Sequence, residues 1–291
     1  MSTQGTGLAG RSRRFQAVRR TTRRGLAAAG SYRDIHMNER SEAVSRTLGL
    51  IGSGMIGSSL ARLAVAAGLE VVLSNSRGPE TLSDLVAELG GRARAATPEQ
   101  AARAADLVVA AVPLKAYEQL PAEALAGMTV LDTANYYPER DGHLAELDAG
   151  GLTSSALMQR HLAGSRVVKA FNNITPHQLL TLARPAGAPD RSALPIAGDD
   201  AEAKTEAARL LDVLGYDAVD IGTLAASWRS EPNTPVYIQP YLGEMPAMNV
   251  EAFLRWTLQT PGVVVPAAQV GKLVETAVRQ PAGEARLPSD A

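Results

Sequence analysis

Six residues constrain this chain more than any others. Gly52-Ser53-Gly54-Met55-Ile56-Gly57 places three glycines at the spacing G-x-G-x-x-G. A short apolar run, Thr47 to Ile51, precedes them, and Ile56, Leu60, Leu63, Ala64 and Ala67 follow at helical spacing. A strand that turns on glycines straight into a helix opens a dinucleotide-binding unit. The first glycine permits the tight turn. The second lets a backbone approach a pyrophosphate with no Cβ in the way, and the third lets the helix pack close to the sheet. The anion then sits on free N–H groups at the positive end of the helix. A glycine turn that binds nothing is the competing reading, and the flanking strand and helix weigh against it.

The same alternation continues along the chain. Leu69 to Leu73, Leu107 to Val112, Met128 to Asp132, Arg166 to Ala170, Leu194 to Ala197 and Asp217 to Asp220 read as strands. Pro79 to Leu89, Thr97 to Ala105, Tyr117 to Ala126, Pro176 to Ala183 and Ala201 to Leu214 read as helices between them. Leu107 to Val112 is uniformly apolar, as a strand covered on both faces must be. Thr97-Pro98-Glu99-Gln100 has the capping residue, the first-turn proline and the Gln that start a helix. The expected fold is α/β: a Rossmann-type, doubly wound, mainly parallel sheet with a small C-terminal extension.

Composition narrows the function classes. At 45% hydrophobic residues the chain can bury a core, and with aromatics at 4% that core is built from Ala, Val, Leu and Ile. Lys+Arg 29 against Asp+Glu 30 leaves a net charge of −1, so no nucleic-acid partner is expected. Zero cysteines exclude disulfides, thiolate zinc sites and cysteine nucleophiles, and fit a cytoplasmic location. No apolar run reaches the ~18 to 20 residues of a membrane helix, so no membrane partner is expected.

The two ends differ from the middle. From Met1 to His36 there are eight arginines and one acid, Asp34. No apolar core long enough for a secretory signal follows them. A targeting or polyanion-binding arm competes with a disordered extension ahead of Met37, and residues 1–46 are read as the latter. Residues 47–228 form the nucleotide-binding domain, and residues 229–291 a Pro-rich segment with short helices. Within the last part, Trp228 to Tyr241 reads as extended chain, Val250 to Leu258 and Pro266 to Val278 as helices, and Gln280 to Ala291 as a frayed end. A lid over a second pocket and a homodimer contact are its two expected roles.

The turn after the second strand selects the coenzyme. An NAD site places an acid about 20 residues after the glycines. This chain has Ser74-Asn75-Ser76-Arg77 there, with a guanidinium, an amide and hydroxyls suited to a phosphate. The coenzyme is therefore read as NADP.

Taken with Ala111-Val112-Pro113-Leu114-Lys115, Val167 to Ile174 and Gly198-Asp199-Asp200, these motifs resemble the NADP-dependent oxidoreductases that use the deazaflavin coenzyme F420. The cytosolic domain of metalloreductase membrane proteins is a relative of that family. The resemblance covers about Thr47 to Trp228. It implies that Gly52, Ser53, Gly54, Met55, Ile56 and Gly57 carry the pyrophosphate and nicotinamide half, and that Asn75, Ser76 and Arg77 hold the 2′-phosphate. Val112, Pro113 and Leu114 would line the nicotinamide end, and Phe171 to Pro176, with Asn172 and Pro176 in contact, would shape the deazaflavin pocket. One departure is Gly78-Pro79-Glu80, where family members often carry further basic residues.

The implied reaction is hydride transfer between two stacked rings, NADP as cofactor and coenzyme F420 as substrate, with no catalytic side chain nominated. No metal is expected, because the four histidines (His36, His143, His161, His177) form no i, i+4 pair. Lys169 in an apolar strand is either an internal salt-bridged lysine or an anchor for an anionic cofactor. Asn172 and Asn173 either cap the next helix or touch a cofactor. Asp132 to Asn135 are either turn residues or ligand contacts. Two other functions stay open: an NADPH-dependent reductase of a small imine, carbonyl or flavin, and a non-catalytic NADP(H) sensor. The expected partners are small-molecule redox cofactors.

Overall fold

The computed structural model describes residues 47–246 and 249–281, so the arginine-rich start and residues 282–291 lie outside the described residues. β1 (Thr47–Ile51), β2 (Glu70–Ser74), β3 (Ala93–Ala95), β4 (Leu107–Ala110), β5 (Thr129–Asp132), β6 (Arg166–Lys169), β7 (Ala193–Gly198) and β8 (Asp217–Asp220) make an eight-stranded sheet. Their order is β3-β2-β1-β4-β5-β6-β7-β8. The helices are α1 (Met55–Ala66), α2 (Ser83–Leu89), α3 (Pro98–Ala104), α4 (Ser154–His161), α5 (Pro176–Thr181), α6 (Ala201–Val213), α7 (Val250–Thr257) and α8 (Ala267–Glu275), with single turns and 3-10 pieces between them. This is a Rossmann-type, doubly wound fold. Among the described residues no helix is long and apolar enough to cross a membrane.

Period-two alternation divides the strand residues between two cores. Leu48, Leu50, Val109, Leu131 and Val168 face one, which α1, α5 and α6 cover. Ile51, Val108, Ala110, Val130 and Val167 face the other, which α3 and α4 cover. The capping box at Thr97 forms as expected: Thr97 Oγ1 accepts from the Gln100 N–H, and the Gln100 side chain accepts from the Thr97 N–H.

Five elements differ from the sequence expectation. The helix expected over Tyr117 to Ala126 is a 3-10 segment (Leu114–Gln119) and a separate turn (Ala122–Leu125). Pro121, with no N–H to donate and a ring that blocks the preceding turn, divides them. Pro79 to Leu89 likewise opens as a 3-10 turn before α2 begins. Trp228 to Tyr241 is not extended; it enters from a 3-10 segment (Leu224–Ser230) and ends in the turn Gln239–Leu242. β3 and α4 are additional elements, each too short for a periodic signal.

The sheet is parallel throughout except between β6 and β7, which pair antiparallel over only two positions, Val168 with Gly198 and Lys169 with Ala197. Pro195 is tolerated inside β7 for that reason. The Ser192 and Ile196 carbonyls accept from β8-side N–H groups at 3.0 and 2.9 Å, so the backbone of Pro195 faces the other way, at a level β6 does not reach.

Candidate coenzyme-binding site

The chain leaves β1 toward β2 and returns on its other side through β4, so the carboxyl ends of β1 and β4 form a topological switch point, where ligands bind in open α/β sheets. Gly52 to Gly57 lie there. Gly52 adopts φ 104°, and a Cβ on it would lie 2.2 Å from the Ala111 carbonyl oxygen. A Cβ on Gly57 would lie 1.9 Å from the Gly52 carbonyl oxygen, so only glycine lets α1 start this close to the strand end. At Gly54 the opposite holds: a Cβ would meet nothing within 4 Å. The elbow is thus tight on the protein side and bare on the outer side. α1 carries no side-chain cap and no acid in its first turn, which leaves its N-terminal donors and positive dipole end uncompensated. Ser53 Oγ donates to the Ser74 carbonyl at 2.9 Å and fixes the elbow to β2. Met55 is 70% exposed beside it, and Ile56 is half-buried. A diphosphate fits this donor set.

The Ser74–Arg77 turn lies directly beside the elbow, because the Gly52 N–H donates to the Ser74 carbonyl at 2.9 Å. Ser76 and Arg77 are exposed. Asn75 is not free. Its Oδ1 accepts from the Arg77 N–H at 2.9 Å and its Nδ2 donates to Thr81 Oγ1 at 2.8 Å, so its amide shapes the turn. The Ser76 hydroxyl and the Arg77 guanidinium remain for a phosphate.

The loop after β4 forms the next wall. Val112 is half-buried and Pro113 exposed, whereas Leu114 is 0% exposed and belongs to the core under the loop. Leu114 therefore supports Pro113 from below and presents no side chain to a ligand. Asp141 ties this loop to the one after β5. Its carboxylate accepts from the Lys115 N–H at 3.3 Å, the Tyr137 N–H at 3.0 Å and the Arg140 guanidinium at 2.9 Å. Burial alone would raise the Asp141 pKa, but Arg140 and the backbone donors outweigh it and hold the carboxyl below its ordinary range.

The turn between β6 and α5 closes the far side. Phe171, fully buried, adopts φ 59°, an uncommon conformation for a non-glycine residue. Asn172 is 4% exposed; its Nδ2 donates to Asn135 Oδ1 and the Ser230 carbonyl. Asn173 Nδ2 donates to the Val236 carbonyl and the Tyr241 hydroxyl. Neither asparagine caps α5. Both fasten the segment 230–241 across the sheet edge, and the amide of Asn172 is committed there. Pro176 is half-buried at the first position of α5, and its carbonyl accepts from Ser59 Oγ on α1, so this turn and the elbow share a helix.

Two tyrosines that no motif announced meet at the same edge. The Tyr137 and Tyr237 hydroxyls hydrogen-bond to each other, one hundred positions apart, and burial lifts both phenols above their ordinary range, so both stay protonated. The Arg140 guanidinium lies 4.8 Å from the Tyr137 ring centroid. Lys169 is 0% exposed and is held internally: Nζ donates to the Ala134 carbonyl and to Ser154 Oγ, with Asp132 Oδ2 at 3.5 Å and Glu231 Oε1 at 3.8 Å. Asp132 also accepts from Ser155 Oγ and the Ala134 N–H. These contacts match the internal salt bridge expected for Lys169 and turn chemistry for Asp132. His161 Nε2 lies 3.0 Å from the Leu120 carbonyl oxygen, within the scaffold. No group of metal-ligating side chains occurs among the described residues.

Residues 47–136 match the family model of NADP oxidoreductases, coenzyme F420-dependent. Metalloreductase STEAP3 of Rattus norvegicus is 30% identical over 182 residues, 62% of this chain but only 34% of that protein. The chain thus spans about a third of the length of that curated relative. Among solved structures, the hypothetical protein SMa0349 of Sinorhizobium meliloti is 29% identical at a TM-score of 0.59, over 69% of this chain and 97% of that one. A candidate F420-dependent NADP-reductase from Arthrobacter sp. FB24 is 27% identical at a TM-score of 0.54, over 63% of this chain and 87% of that one.

Proposed function

We propose that this chain, whose residues 47–136 match the family model of the coenzyme F420-dependent NADP oxidoreductases, passes a hydride between NADP(H) and coenzyme F420. The elbow carries the reading: a glycine turn closed by Gly52 and Gly57 and bare at Gly54, at the switch point of the sheet. The relative from Arthrobacter supports the deazaflavin as second reactant.

NADP(H), when bound, supplies or accepts the hydride. The chain's residues do the rest. Backbone N–H groups from Ser53 to Ile56 hold the diphosphate against the end of α1. Ser76 and Arg77 hold the 2′-phosphate, Arg77 with a guanidinium fork that can bond two phosphate oxygens at once. Val112 and Pro113 form one wall of the reaction space, and the turn from Phe171 to Pro176 the other. Both reacting carbons belong to bound molecules, so orientation and exclusion of water are what the protein contributes.

The test mixes the purified chain with NADPH and oxidised coenzyme F420 and follows both absorbances. Joint loss, dependent on both reactants, is expected. NADPH loss with free flavin or a cyclic imine, and none with F420, replaces the second reactant. Binding without turnover assigns the chain to coenzyme sensing.

A further inference from the structure

The turn that follows Arg77 folds a carboxylate back onto Gly78, the residue next to Arg77. Gly78 adopts φ 100°, and the position its Cβ would take lies 2.3 Å from Glu80 Oε1 and 2.6 Å from Glu80 Oε2. Any other residue at 78 would exclude the carboxylate from that place. Thr81 Oγ1 donates to the Gly78 carbonyl at 2.8 Å and accepts from Asn75 Nδ2, so the loop from 75 to 81 is a closed ring with Glu80 folded onto it. Glu80 and Arg77 are both exposed, and among the described residues neither side chain makes a hydrogen bond or an ion pair. The acid is therefore not neutralised by the arginine two peptide bonds before Pro79. The ring also withdraws two donors, the Asn75 amide and the Arg77 N–H, from any phosphate placed there.

We propose that Glu80 sets the coenzyme choice of this site, accepting a hydrogen bond from the adenosine-side ribose diol of NAD(H) and opposing the 2′-phosphate of NADP(H), so that the chain binds both coenzymes. The assignment rests on the coenzyme-binding reading of the elbow and deepens it. Arg77 and Glu80 act as two opposite charges on one turn, each complementary to a different adenosine ribose: a guanidinium for the phosphate, a carboxylate for the free diol. Because both are solvated, the opposition is modest and is weakened by salt.

Calorimetric titration of the full-length chain with NADPH and with NADH tests this without any second substrate. Glu80→Gln, an exposed isosteric change, is expected to tighten NADPH and to weaken NADH, each by about two- to fivefold, an effect of the size found for exposed charges. The NADPH gain shrinks when the salt concentration is raised. Glu80→Ala should repeat both shifts. Equal shifts for the two coenzymes, or none, overturn the role of Glu80 while leaving the elbow intact. A wild-type chain that binds neither coenzyme overturns both readings together.

Discussion

Arg77 is the side chain on which NADP recognition rests most heavily. Its neighbours Asn75 and Thr81 bond each other, leaving a guanidinium and the Ser76 hydroxyl for the extra phosphate. Arg77→Ala should therefore weaken NADPH binding by about 1.5–3 kcal/mol, the worth of a charged hydrogen-bond partner, and leave NADH nearly untouched. Calorimetry with the two coenzymes checks it, and equal losses would remove Arg77 from the site. The glycine positions were legible in the sequence because each answers to backbone geometry within a few residues. Asn75, Leu114 and Asn172 were not, because what a polar or apolar side chain does depends on what folds onto it. Asn75 meets Thr81 across the turn, Leu114 drops into the core, and Asn172 reaches Asn135 and Ser230. Nothing local in the chain announces the pairing of Tyr137 with Tyr237.

At the scale of elements, two polar clusters hold the carboxyl-edge loops. The Asp141 carboxylate joins the loops after β4 and β5, and its depressed pKa gives the sign of a pH effect. The stability it contributes is present above the ordinary aspartate pKa and is lost as the pH falls through the lower folded value. Asp141→Asn should therefore lower the thermal midpoint at neutral pH and flatten its decline below about pH 4. An unchanged acid limb in midpoint-against-pH measurements would show that other carboxylates carry it. The second cluster surrounds Lys169. Removing its ammonium leaves Asp132 buried and uncompensated, so Lys169→Ala should cost about 3–5 kcal/mol in urea unfolding. Alternation of strand and helix was legible because burial on both faces writes uniformly apolar strands. The misread helix at Tyr117 to Ala126 shows the limit of periodicity: Tyr117, Leu120 and Ala124 keep helical spacing, but Pro121 breaks the hydrogen-bond ladder among them. The reversed direction of β7 has no signature within the strand, since a buried strand of either direction is apolar.

For the whole molecule, the nucleotide half and the C-terminal half meet along the β6–β7 line. A chain shortened to residues 37–291 should keep the coenzyme affinity and thermal midpoint of the 291-residue chain, since the elbow, the turn after β2 and the residues of both cores all lie beyond residue 46. Loss of either, by calorimetry or thermal melting, would make the removed residues part of the working protein. Only two residue pairs join β6 to β7, whereas β1 and β2 share five. Contacts from outside the ladder reinforce that line: Asn172 to the Ser230 carbonyl, Asn173 to the Val236 carbonyl, and the Tyr241 hydroxyl to the Ala193 carbonyl. A sheet sutured this way has a built-in order of opening. Amide protons of β7 and β8 should exchange with deuterium ahead of those in β1 and β4, and a protease cut at the exposed Asn233 should widen that gap, with the coenzyme elbow the last part to let go.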